Sequence, residues 1–181
     1  MCSSDLVGRS KPASLATAIE ALNPDIRVEA HPVRLGAANV AGLVGAYDLV
    51  CDGSDNFDTR YLLAEACVRA RRTLVAAAVL RFDGQLSVHP PDGPCLRCLH
   101  PEPPEPGSVP SCGEAGILGS VTGVMGSLQA TEVLKIILGI GEPLAGRVLS
   151  WHALSGRFTE FRLPADPDCP LCGAHPGGRA P

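Results

Sequence analysis

Two Cys-x-x-Cys pairs, Cys95-Leu96-Arg97-Cys98 and Cys169-Pro170-Leu171-Cys172, constrain this chain more than any other feature. Two thiolates at that spacing face one ion, and two such pairs complete a tetrahedron. The pairs are much farther apart than in a zinc ribbon. A shared ion would therefore staple the C-terminal segment onto the loop that holds the first pair. Four thiolates leave no open coordination position, so the pattern points to structural rather than catalytic zinc. The competing reading is unrelated surface thiols or disulfides. Cellular compartment separates the two. The start, Met1-Cys2-Ser3-Ser4-Asp5, lacks the basic and apolar regions of a signal peptide. The chain is read as cytoplasmic, where close cysteine pairs hold metal. His100 and His175 lie near the pairs and are read as solvated loop residues.

The 181 residues suit one domain with a real core. Aromatics are only 4%, so that core must be built from Val, Leu, Ile and Ala. A net charge of −4 and the lack of any basic block argue against nucleic-acid binding. The longest mostly apolar segment, Ile117 to Ile140, carries Gln129, Glu132 and Lys135, which lipid would penalise, so no membrane span is expected.

Along the chain, helices and strands alternate. Lys11 to Leu22 has helical apolar spacing, with Pro12 in the first turn and Asn23-Pro24 as the stop. Ile26 to Val33 reads as a strand, Ala37 to Val44 as a weak helix and Tyr47 to Cys51 as a buried strand. Phe57 to Arg72 is predicted helical, with Asp55-Asn56 at its N-cap and arginines near its C-terminal end. Thr73 to Leu80 and Gln85 to His89 are predicted to pair through a turn at Asp83-Gly84. A proline-dense loop, Pro90 to Pro110, precedes a long helix over Gly116 to Leu138. A hairpin follows, from Val148 to Ala153 and from Arg157 to Leu163. This order implies an α/β layered sheet with antiparallel hairpins added to one edge.

Three further features carry chemistry. Asp52-Gly53-Ser54-Asp55-Asn56 falls at the carboxyl end of a strand and the start of a helix, where open α/β sheets collect ligands. Either Asp55 holds magnesium on a nucleotide, or Asp55 or Asn56 simply caps the helix. Lys11 sits at a predicted helix start, unfavourable for the dipole and suggestive of an anionic partner, although an ordinary solvated lysine fits as well. Cys112, before the long helix, is either a nucleophile with a depressed pKa or a buried inert thiol. Cys2, Cys51 and Cys67 read as inert, the last two on core positions of a strand and a helix. Gly116, Gly119, Gly123 and Gly126 recur at helical spacing and are read as a packing stripe, one use of which is a subunit interface. Leu118, Val121, Met125 and Leu128 supply an apolar stripe on the same helix.

Taken in order, these segments resemble the ThiF/MoeB/HesA family. They are Gly8-Arg9-Ser10-Lys11, Leu22-Asn23-Pro24, Asp52 to Asn56 with Thr59-Arg60, Gly84-Gln85, the first cysteine pair, Cys112 to Gly116, Val124-Met125-Gly126 and the second cysteine pair. The resemblance covers essentially the whole chain. It implies a Rossmann-like mixed sheet of the ubiquitin-activating type with a four-cysteine zinc site, occupying residues 1–173 ahead of a flexible tail at 174–181. It implies ATP-dependent adenylylation of the C-terminal Gly-Gly of a ubiquitin-like sulfur carrier serving thiamin or molybdenum-cofactor pathways, usually by a homodimer. In that scheme Lys11 touches ATP phosphates and Asp55 holds magnesium, with Asn56 beside it at the nucleotide. Cys112 joins the carrier transiently in several members, and Cys95, Cys98, Cys169 and Cys172 bind structural zinc.

The match departs from the family at its start. The family's first βαβ unit, with G-x-G-x-x-G and an acidic residue for the ribose, is not in this sequence. The departure predicts weak or absent ATP binding by these residues alone and a tendency to aggregate. A second reading follows, a non-catalytic carrier-binding or dimerisation module of the same fold. A fragment of a nicotinamide-dependent dehydrogenase is disfavoured, because no dinucleotide fingerprint is present.

Overall fold

A computed structural model describes residues 7–105, 107–110 and 112–173, with only the backbone described at Cys112. Cys2, His175 and the tail at 174–181 lie outside the described residues. The chain divides into two compact units, Met1–Leu35 and Gly36–Pro181.

In the first unit, α1 (Lys11–Leu22) carries Pro12 in its first turn, where a missing N–H costs nothing. It closes at Asn23, whose N–H donates to Ile19 O at 2.8 Å. The strand predicted over Ile26 to Val33 does not form. An extended segment needs a neighbour to share its backbone hydrogen bonds. Within its unit this segment has none, and Ile26 and Val33 are half exposed.

The second unit is built on a five-stranded sheet in the order β1-β2-β3-β4-β5. The strands are β1 (Leu49–Asp52), β2 (Thr73–Leu80), β3 (Asp83–His89), β4 (Arg147–His152) and β5 (Arg157–Arg162). β1 runs parallel to β2 and the other pairings are antiparallel, so the sheet is mixed and the hairpin additions expected from sequence are present. α2 (Val40–Gly45) starts later than predicted. α3 (Phe57–Arg69) ends earlier than predicted, because Arg71 turns to a φ of 52°. A one-turn helix, α4 (Leu96–Leu99), breaks the proline-dense loop.

Two boundaries differ from the sequence expectation. The β2–β3 turn falls at Arg81-Phe82, not at Asp83-Gly84, which belong to β3. Arg81 takes a φ of 54°, unusual for a bulky residue, and a short extra ladder holds it there. Its N–H donates to Gly116 O at 3.2 Å and its carbonyl accepts from Leu118 N at 3.1 Å. The same ladder divides the predicted long helix into α5 (Cys112–Ala115) and α6 (Gly119–Leu138), with Gly116 between them at a φ of 72°.

α6 packs on the face of the sheet that carries Val75, Ala77, Leu86 and Val88, where Val121 and Met125 are fully buried. Gly84 permits this approach. A Cβ at that position would overlap the Sδ and Cγ of Met125. Polar groups lock the packing. Gln129 Nε2 donates to Asp52 O and to Val75 O, both at 2.9 Å. Glu132, buried and paired with Lys135, accepts from Leu144 N at 2.8 Å. By length and composition α6 could cross a membrane. Its polar residues instead hold it to the sheet. Gly116, Gly119, Gly123 and Gly126 meet no backbone among the described residues, so the close approach expected of that stripe is not made among them.

Candidate functional site

Strand alternation sends Ala78, Asp83, Gln85, Val148 and Ser150 to the face opposite α6. There they floor an open cavity of about 390 Å³. Asp55, Phe57 and Arg60 of the β1–α3 region close one side. His100, Val109 and Pro110 of the long loop contribute to the rim, and Phe161 enters from β5.

The β1–α3 turn is shaped by its own polar residues. Asp52 is buried at the end of β1, and its Oδ1 accepts from Ser54 N at 2.8 Å. Asn56 is the N-cap, its Oδ1 accepting from Thr59 N at 2.9 Å. The capping task therefore falls to Asn56. Asp55 is exposed toward the cavity, its Oδ1 accepting, among the described residues, only a long contact of 3.4 Å from Asn56 Nδ2. Arg60 comes from the first turn of α3. Its Nη2 donates to Ser54 O and to Ala77 O, the latter at 3.3 Å, tying the Asp55 loop to β2. Among the described residues Arg60 has no carboxylate partner within ion-pair distance, so its positive charge is unneutralised at the cavity wall.

The two distant cysteine pairs converge. The four Sγ atoms all lie within 4.8 Å of one another, with Cys95 to Cys169 at 3.5 Å and Cys98 to Cys172 at 3.4 Å. Thiolates about 2.3 Å from one ion would stand roughly 3.8 Å apart at the corners of a tetrahedron, so the cluster fits a single four-coordinate ion. Asp166 N donates to Cys98 Sγ at 3.5 Å, the kind of backbone support a metal-bound thiolate receives. Burial pushes Cys95 up, and Cys172 is pushed up to about 11. A cation among the four sulfurs would supply the charge that makes thiolates favourable there.

His100, two residues after Cys98, carries the chain from the thiol cluster into the cavity lining. Tyr61 OH donates to His100 O at 2.9 Å, and the Arg97 guanidinium lies over the Tyr61 ring at 4.5 Å. His100 meets Phe57 edge-on at 6.0 Å between ring centroids. It is half-buried in the cavity lining, not the solvated loop residue expected from sequence, and burial, aided by Arg60, lowers its pKa.

The other predicted residues are distributed as follows. Lys11 is an exposed first residue of α1 in the first unit. Cys112 opens the one-turn helix α5, so the dipole of the long helix does not begin at it. Cys67 is buried, and burial together with the Asp52 carboxylate pushes it up to about 12, in keeping with an inert thiol. Cys51 is exposed, against the core position expected, because β1 is the edge strand of the described sheet. Arg60 and Gln85 stand within sequence motifs, but no local pattern marks either as part of a site; α3 brings Arg60 to the cavity and strand pairing brings Gln85.

The chain is 48% identical to a sulfur carrier protein adenylyltransferase of Thermus thermophilus, over 96% of this chain and 66% of that protein. It is 46% identical to the SAMP-activating enzyme E1 of Haloferax volcanii, over 93% of this chain and 63% of that one. The chain thus spans under two thirds of the length of these curated relatives. Among solved structures, E. coli MccB with MccA-N7isoASN superposes with a TM-score of 0.79 over 94% of this chain and 54% of that one. At 18% identity, that likeness is one of fold. A model of the ThiF family matches residues 2–171, and with it the chain belongs to the ThiF family.

Proposed function

We propose that this chain serves in adenylylating the C-terminal Gly-Gly carboxylate of a ubiquitin-like sulfur carrier, in a thiamin- or molybdenum-cofactor-type pathway. The observation that carries the reading is the cavity in which exposed Asp55 and unneutralised Arg60 face one space, in a unit that also holds a metal-competent cluster of four thiols. A carrier carboxylate oxygen attacks the α-phosphorus of ATP, the α–β anhydride bond breaks, and pyrophosphate leaves. Catalysis of such a step is positioning and charge neutralisation. Asp55, free of the capping duty that Asn56 performs, would hold magnesium with Asn56 beside it at the nucleotide. Bound magnesium supplies charge for the departing pyrophosphate. Lys11 would meet the ATP phosphates, and Cys112 would receive the carrier in a transient covalent bond. Cys95, Cys98, Cys169 and Cys172 would hold structural zinc. The protein is read as a cytoplasmic homodimer, with the open glycine face of α6 available for pairing, and as binding neither nucleic acid nor membrane.

The test is exchange of labelled pyrophosphate into ATP by the purified chain, with a Gly-Gly-ended carrier present and absent. Carrier-dependent exchange, with a carrier that gains the mass of one AMP, supports the reading. Carrier binding without exchange would favour the non-catalytic carrier-binding module.

A further inference from the structure

The floor of the cavity holds a polar row that no step above uses. Strand register places Ala78 opposite Gln85 and Gln85 opposite Ser150. All three residues line the cavity. Gln85 and Ser150 are half-buried, and among the described residues neither side chain has a hydrogen-bond partner. The backbone of Gln85 is held in ladders on both sides, so its side chain cannot turn to the α6 face without breaking the sheet. A carboxamide offers one acceptor and two donors. Its natural complement is a peptide group, with one N–H and one C=O. The hydroxyl of Ser150 can serve either.

Position adds direction. Arg60 Nη2 reaches Ala77 O on β2, and Gln85 lies one strand over, opposite Ala78. Neighbouring strands are about 4.8 Å apart. A terminal carboxylate and the peptide group before it are separated by about 3.8 Å, one residue of chain. A carboxylate at Arg60 therefore brings the last peptide group over Gln85, and Ala78 between them is small enough for a main chain to lie close to the sheet.

We infer that Gln85, assisted by Ser150, reads the last peptide group of a carboxylate-ended polypeptide seated beside Arg60. Oε1 of Gln85 accepts the substrate N–H, and Nε2 donates to the substrate carbonyl. Gln85 is then a specificity-determining residue for the carrier tail, and the inference rests on the function proposed above.

Calorimetric titration with synthetic carrier tails tests it. Three peptides are used: one ending in Gly-Gly carboxylate, one with that end amidated, and one with its last amide bond replaced by an ester, which removes the N–H. The wild-type chain binds the first peptide and loses affinity for the amidated one. The ester weakens wild-type binding about five- to tenfold, the worth of one hydrogen bond. Gln85→Ala weakens the first peptide by a similar factor, and the ester has no further effect on that variant. If wild type binds amide and ester equally, the peptide-reading assignment falls while the proposed function stands. If wild type does not distinguish carboxylate from amidated ends, the proposed function falls and the inference with it. A Gln85→Ala variant weakened toward ATP but not toward peptide would assign Gln85 to the nucleotide and overturn the inference. Should Gln85→Ala fail to fold, the wild-type ester comparison and Ser150→Ala still decide.

Discussion

At the scale of single residues, the β1–α3 turn separates two tasks that the sequence left combined. Asn56 stabilises and Asp55 faces the cavity. Asn56→Ala should cost about 1 kcal/mol of folding stability, read from denaturant unfolding, by loss of the cap. Asp55→Ala should leave stability within about 0.5 kcal/mol, as exposed substitutions do. The same change should reduce carrier-dependent pyrophosphate exchange by about a hundredfold or more, the scale on which a transition-state charge contact acts. Loss of stability without loss of exchange in Asp55→Ala would remove Asp55 from the chemistry. His89 gives a second residue-scale expectation. It is buried between Ser87 Oγ and Pro94 O, each at 2.9 Å from a ring nitrogen, and burial lowers its pKa. With the folded-state pKa below the unfolded value of about 6.5, the unfolded chain takes up the proton first. The stability this contributes is present above about pH 6.5 and is lost as pH falls through the depressed folded-state value. Unfolding free energies of wild type and His89→Gln, compared from pH 8 downward, should converge in acid by that amount.

At the scale of elements, α6 and β3 meet where a glycine faces a methionine. Gly84→Ala should destabilise by about 1–3 kcal/mol through overpacking against Met125. Met125→Ala should cost about 2–5 kcal/mol by leaving a cavity among Val121, Leu86 and Val88. In the double variant the added methyl enters the space vacated by the methionine, so the two costs should sum to more than the measured total. Additive costs would mean that the two side chains do not share that space. Element type was largely legible in sequence because it is local. Apolar spacing and Pro12 marked α1, and the β-forming run marked β2 with its observed bounds. The failures came where an element needs a distant partner. Ile26 to Val33 has β composition but no neighbour within its unit. The long helix breaks at Gly116 because Arg81, far away in sequence, takes a ladder there.

At the scale of the whole molecule, the cluster of four thiols joins the long loop to the C-terminal segment. The purified chain should contain one zinc per polypeptide by atomic absorption, and Cys172→Ser should lose it. Chelation should lower the melting temperature, because binding free energy at a structural site is folding free energy. A metal-free wild-type chain with an unchanged melting temperature would leave the thiols without that task. His100, which Tyr61 holds through its carbonyl and Phe57 through its ring, lies two residues from Cys98, so metal loss should alter peptide binding in the cavity as well as stability.

The sequence by itself determined which chemistry the chain carries and most of its element types. The spacing within each cysteine pair and the aspartate-rich turn after a strand are each written within a few residues, and their meaning comes from side-chain chemistry and backbone propensity. Only the tertiary structure decided what those groups face. Cys95 meets Cys169 and Arg60 of α3 meets Ala77 O through loops and a helix packed on the sheet, and Gln85 stands in one row with Ala78 and Ser150 because the sheet order and register bring them together. Contacts of that kind depend on pairing and packing between segments far apart in the chain, and a one-residue slip in register would send Gln85 to the other face of the sheet.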